Sequence, residues 1–211
     1  MAKKIMFSDK YGLTQAVLEG RKTQTRRIVN EIEHFDLPFN SINLVKFNMN
    51  DGRIAYARSR YKIGEEVAIA QSYKDIFGYK DLTYVRRREL EAGKCNPAWH
   101  NKMFVRADLM LNFIKITNVR VERLQDISDE DCLKEGVIEH KYMTPEKYSK
   151  IRYYYTCRGI GVQREKYFED TMFRTARDAY AVLIDKVSGK GTWESNPWVF
   201  VYDFELINNQ K

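Results

Sequence analysis

The chain has 211 residues, of which 44% are hydrophobic and 31% charged, ordinary values for a globular protein able to bury a core in one large domain or two small ones. A formal net charge of +7 and a pI near 9.2 favour a polyanionic partner, with nucleic acid first. No apolar run approaches a membrane span or a signal peptide, and no disulfide framework follows from the odd, widely spaced Cys95, Cys132 and Cys157, so a reducing, cytoplasmic setting is expected.

Taken in order, Lys4 to Phe7 reads as a first strand. Ser8 or Asp9 can cap a helix whose Leu13, Ala16 and Val17 share one face, and Gly20 stands where a left-handed residue ends it. Arg21 to Val29 reads as a turn leading into a strand. Residues 30 to 62 form an expected hairpin about Asn50-Asp51-Gly52, its returning strand carrying Arg53, Arg58 and Arg60 with Lys62 after it. A strand follows from Val67 to about Gln71. Residues 74 to 108 read as an excursion, with Tyr84 to Ala92 as a charged helix and Gly93 to Trp99 as a loop.

Met110 to Leu124 gives a long strand signal. Ser128 with Asp131 three residues on resembles a capping box and opens a helix running to Glu135 and Gly136. A further helix is expected from Thr144-Pro145 along Tyr148, Ile151 and Tyr155, and a longer one over Glu165 to Val187. Its stripe of Phe168, Met172, Ala176, Ala179, Leu183 and Val187 is core packing. Trp198 to Ile207 is a closing strand. Strands and helices that do not alternate strictly predict an α+β fold, one domain over 1–211, compatible with a small mixed or antiparallel barrel carrying helices at its rim.

Several kinds of site are set aside. His34, His100 and His140 never fall at a metal-ligand spacing, no GxSxG elbow is present, and Ser188-Gly189-Lys190-Gly191 is not a phosphate loop. Neither metal nor organic cofactor is called for. Arg86-Arg87-Arg88 reads as a solvated helix face. Trp198 reads as core, while burial and exposure are evenly balanced for Trp193.

The densest stretch is Leu18 to Val29, LEGRKTQTRRIV, which joins a helix stop, two hydroxyls and four cations. Its Gly20, Lys22, Thr25 and Arg27 resemble the GxKxxExR signature of the ASCH family, with threonine in place of glutamate. Val121 to Val137, VERLQDISDEDCLKEGV, is similar to the family's strand and helix ending in Glu-Gly. SGKGTWESNPWVFVYDFELI resembles the closing helix, loop and strand of phage- and prophage-borne members. The segments 30–62 and 74–108 carry no motif of the family.

The resemblance implies a PUA-like β-barrel and a cleft for RNA or a modified nucleoside. It also implies, from a bacterial member that deacetylates 4-acetylcytidine, a metal-independent amidohydrolase with Lys22, Thr25 and Glu135 as catalytic residues. In that chemistry Thr25 is the nucleophile, Lys22 its base and Glu135 the acid/base or water-orienting group, while Arg21, Arg26 and Arg27 hold phosphate or an oxyanion. Lys22 is a base only when neutral, against an ordinary pKa of about 10.4. The arginines would favour that state and Glu135 would oppose it. An ideal strand points Lys22 and Thr25 to opposite faces, so their convergence needs Lys22 in the turn. The alternatives are a non-catalytic RNA or modified-base reader, a phage accessory scaffold, and a plain Lys22–Glu135 ion pair tying the first turn to the middle helix.

Overall fold

The computed structural model describes residues 3–30, 32–33, 43–77, 99–143, 150–155 and 172–207. Its strands are β1 (Lys4–Ile5), β2 (Gln24–Ile28), β3 (Ile32–Glu33), β4 (Leu44–Asn48), β5 (Ile54–Arg58), β6 (Glu66–Ile69), β7 (Phe113–Arg123), β8 (Ile138–Met143), β9 (Lys150–Tyr155), β10 (Met172–Phe173) and β11 (Trp198–Ile207). The helices are α1 (Leu13–Leu18), α2 (Tyr73–Phe77), α3 (Asp129–Lys134), α4 (Ala176–Ser188) and α5 (Thr192–Ser195). The class is α+β, with parallel and antiparallel pairings both present. Closure into a barrel is not seen among the described residues. By contacts the chain divides into two compact units.

The first unit comprises Met1–Phe7, Glu66–Lys115 and Leu206–Lys211. In it β1 runs parallel to β6, and β6 pairs antiparallel with Phe113, Ile114 and Lys115 at the start of β7. Ala68, Val105 and Met110 are buried together, with Tyr73, Ile76, Ala107 and Phe113 packed against them. Lys4 Nζ donates to the carbonyls of Lys102, Met103 and Val105 at 3.1, 2.6 and 2.7 Å, pinning β1 to that irregular segment.

The second unit comprises Ser8–Glu65 and Ile116–Glu205. Here β11 lies between β7 and β2, and its antiparallel register sets Tyr202 opposite Thr25 and Asp203 opposite Gln24. The apolar faces of α1, α3 and α4 bury Ala16, Val17, Cys132, Ala179, Tyr180 and Leu183. Arg177 on α4 donates to the carbonyls of Ile127 and Gln125, both at 2.6 Å, latching that helix to the residues before α3. The Asn50-Asp51-Gly52 turn forms as expected, with Gly52 at φ +80°, and β3, β5 and β4 make a three-stranded antiparallel sheet around it. A further three-stranded sheet has the order β10-β9-β8.

Three expectations are corrected. Residues 150–155, read as the end of a helix, are a strand paired with β8 from Ile138↔Tyr155 to Met143↔Lys150. Ile151-Arg152-Tyr153-Tyr154-Tyr155 is rich in residues that favour a pleated surface, which outweighs the helical spacing of its apolar positions. The long helix begins at Ala176, because Thr175 caps it by accepting from Asp178 N at 3.1 Å and Met172 belongs to β10. For α1 the cap is Gly12 at φ +70°, while Asp9 accepts from the Thr14 hydroxyl instead. Phe168, Tyr148 and the expected elements between Tyr84 and Pro97 lie outside the described residues.

Candidate functional site

Gly20 adopts φ +72°, so α1 ends where the sequence placed the stop, and the amides of Arg21 and Lys22 both donate to Ala16 O at 2.9 Å. This closure puts Lys22 in the turn rather than in β2. Thr23 N donates to Lys134 O at 2.9 Å, bringing the turn against the last residues of α3. Lys22 and Glu135 therefore meet, although 113 residues separate them.

The Lys22 side chain is only 2% exposed. Its Nζ donates to Gln24 O at 2.8 Å, Glu135 O at 2.9 Å and Glu135 Oε2 at 2.5 Å. Three acceptors match the three N–H bonds of a charged amine; a neutral amine would turn its lone pair toward one of those oxygens. Lys22 is thus held as a cation at the C-terminal end of α3, where the helix dipole also favours positive charge. The base role expected of it requires the other protonation state.

Arg26, one step along β2, is more deeply engaged. Its Nε and Nη2 donate to Glu122 Oε1 at 3.2 and 2.6 Å, Nη2 also to Asp131 Oδ2 at 3.2 Å, and Nη1 to Glu135 Oε1 at 3.2 Å and to Gln24 Oε1. Its five N–H bonds are matched by five contacts with protein acceptors, and its side chain is 0% exposed. Burial pulls its pKa down, and the charges of Glu135 and Glu122 more than reverse this. The expectation that Arg26 holds an external anion is therefore corrected: it organises carboxylates inside the protein.

Arg120 on β7 extends the cluster, donating to Glu122 at 3.0 Å, Asp131 at 2.7 Å and Asp203 at 2.8 Å. Gln24 Nε2 reaches the other oxygen of Asp203 at 2.6 Å. Tyr180 is buried beside these charges, its ring under the Arg26 guanidinium at 6.0 Å. Burial, then Glu135, pushes its phenol well above the ordinary value, and its hydroxyl has no hydrogen-bond partner among the described residues. Burial also pushes the Cys132 thiol up to about 12, which makes it a poor nucleophile.

Thr25 is buried but stands apart from Lys22 and Glu135. Strand alternation turns it to the face opposite Gln24 and Arg26, across from Tyr202, whose hydroxyl shares a 3.0 Å hydrogen bond with Ser59 Oγ. Among the described residues no hydrogen bond joins Thr25 to Lys22 or Glu135. Arg27 lies on the same side as Thr25, where its charge acts on the phenols of Tyr61 and Tyr202. Arg21 is at the surface and pairs with Glu19 at 2.7 Å.

On this second side an open cavity of about 380 Å³ lies among Asn43, Leu44, Val45 and Lys46 on one edge, Ser59, Tyr61, Lys62 and Ile63 on the other, and Val119 of β7. The sequence marked its rim only as a basic hairpin. Glu122, Asp131 and Asp203 were visible as charges but not as partners of Arg26 and Arg120, because strand pairing and the α3 packing bring them together. Among the described residues no cluster of three His, Cys, Asp or Glu side chains could hold a metal ion, and no helix is long and apolar enough to cross a membrane.

No family model matches the chain, and comparisons with curated proteins and with solved structures give no match.

Proposed function

We propose that the chain is a nucleoside- or RNA-recognising module of the ASCH, PUA-like kind, that its Lys22–Glu135 pair is structural, and that it meets phosphates through the β4–β5 side. The observation that carries this reading is a contrast between two sets of cations. Lys22, Arg21, Arg26, Arg53, Arg106 and Arg120 are each paired with carboxylates of the chain. Lys46 and Lys62 are exposed, and their ammonium groups have no acidic partner among the described residues. With a net charge of +7, unpaired lysines beside a cavity are where a polyanion gains most from contact.

A hydrolase acting on an acylated base is the second reading, favoured by the meeting of Lys22 with Glu135. It requires Thr25 to approach Lys22 from the other face of β2 and Lys22 to lose its proton. The two readings separate by experiment. Binding of labelled single-stranded RNA should be measurable at low salt and weaken as salt rises. Turnover of 4-acetylcytidine and related acylated nucleosides should not exceed that of Lys22→Ala, Thr25→Ala or Glu135→Ala. Turnover lost in all three folded variants would instead establish the hydrolase.

A further inference from the structure

Asn43 opens β4 in a left-handed conformation at φ +73°, a region few residues other than glycine enter and which asparagine tolerates best among them. Its backbone carbonyl accepts from Ser59 N at 2.9 Å, which fixes it at the end of the β4–β5 pairing. Asn43 is among the residues that line the cavity, and its carboxamide makes no hydrogen bond among the described residues. That group presents a donor and an acceptor side by side, the pair that matches the edge of a base.

The other lining groups complement a planar ligand with a charge at one end. Leu44, Val119 and Ile63, the last 64% exposed, supply apolar surface. Ser59 Oγ donates to Tyr61 O at 2.6 Å and is shared with Tyr202, so this part of the lining is already satisfied. Lys46 and Lys62 also line the cavity, and their ammonium groups have no acidic partner among the described residues. A volume of about 380 Å³ lies near the small end of ligand sites, roughly 300–1,000 Å³. A concave site of that size admits a base splayed out of a single strand and not one stacked within a duplex.

We infer that this cavity holds one unstacked base of a single-stranded nucleic acid, its edge met by Asn43 and its phosphate by Lys46 and Lys62. The inference rests on the nucleic-acid reading above and is independent of the Lys22–Glu135 cluster.

The test uses the full chain. Adenosine, cytidine, guanosine and uridine monophosphates, their nucleosides and their deoxy counterparts are titrated by amide NMR into wild type, Asn43→Gly and Lys46→Ala/Lys62→Ala. Glycine keeps the left-handed backbone, so the first variant removes only the carboxamide, and thermal melts verify that both variants fold. Shifts are expected to cluster at 43–46 and 59–63. Asn43→Gly should weaken the preferred mononucleotide roughly fivefold or more and level the preference among bases, the scale of one lost base-edge contact. The double lysine variant should bring nucleotide affinity down to that of the nucleoside. The ribose and deoxyribose arms show whether RNA or DNA supplies the strand. Mononucleotide binding unchanged in both variants, while single-stranded RNA still binds, would overturn the cavity assignment alone. So would an acidic peptide binding there while nucleotides do not. No binding of single-stranded RNA or DNA at low salt would bring down the nucleic-acid reading with it.

Discussion

Lys22 Nζ lies 2.5 Å from Glu135 Oε2, with both side chains buried, so the first turn of the chain and the end of α3 are joined by charge. The same ammonium holds two backbone carbonyls, Gln24 O and Glu135 O. An ion pair with its donors this fully occupied fixes a turn more readily than it moves a proton. Through Arg26 it continues into Glu122 and Asp131, and through Arg120 to Asp203.

Removing one partner of this pair leaves the other charge buried. Lys22→Met is expected to destabilise the protein by about 3–5 kcal/mol, and Glu135→Gln by a similar amount. Urea denaturation of the two single variants and the double should show non-additivity, because the second substitution removes the charge that the first left without its nearest partner. Additive losses would mean that the two side chains are not coupled.

Arg26→Lys retains the charge but replaces five N–H donors with three on a point-like head. A loss of about 2–4 kcal/mol is expected, since contacts to Glu122, Asp131, Glu135 and Gln24 cannot all be remade. The salt dependence of RNA binding should stay as in wild type, because the guanidinium faces inward. A shallower salt slope would place Arg26 among the ligand contacts.

Asp131 titrates with a definite sign. Burial works to raise its pKa, but Lys134, Arg26 and Arg120 outweigh burial and hold it below the ordinary value. A folded pKa lower than the unfolded one contributes stability that is fully present above about pH 4 and is lost as pH falls through the folded value. Acid unfolding curves should therefore steepen below about pH 4 in wild type and do so less in Asp131→Asn. Equal slopes in the two proteins would remove Asp131 from the stabilising cluster.

Gly20→Ala tests how the turn is set. Among the described residues nothing beyond its chain neighbours lies within 4 Å of an added Cβ, so the cost is that of the left-handed backbone, about 1–2 kcal/mol. A thermal melt lower by a few degrees, with RNA binding unchanged once folded, is the expected outcome.

Much of this arrangement was legible in the chain. The Gly20 stop, the Ser128 cap, the Asn50-Asp51-Gly52 turn and the closing strand rest on local chemistry that sequence displays directly, and each forms where it was read. Lys22 and Glu135 could be named as partners only through resemblance to a family, since nothing local joins residues so far apart. Thr25 shows the limit of motif spacing: three positions beyond Lys22, it is turned to the other face by the start of β2 after the turn. The helix read over 144–155 failed at its described end because helical spacing among a few apolar residues also fits a strand, and pairing with β8 decides between them. Asn43 gave no signal at all, as its left-handed backbone and a carboxamide with no hydrogen bond among the described residues emerge only with the cavity.

Recognition by the β4–β5 side, with Lys22 and Glu135 as structure, is tested most directly by the salt slope of single-stranded RNA binding in three proteins. Fluorescence anisotropy from low to moderate salt is compared for wild type, Lys22→Met and Lys46→Ala/Lys62→Ala, each verified as folded at the assay temperature. Each phosphate contact contributes a slope of about −0.7 on single strands, so the double lysine variant should lose roughly 1.4 from the wild-type slope while Lys22→Met keeps it. The opposite pattern, with the slope intact in the double lysine variant and reduced in Lys22→Met, would contradict it and return the ligand site to the first turn.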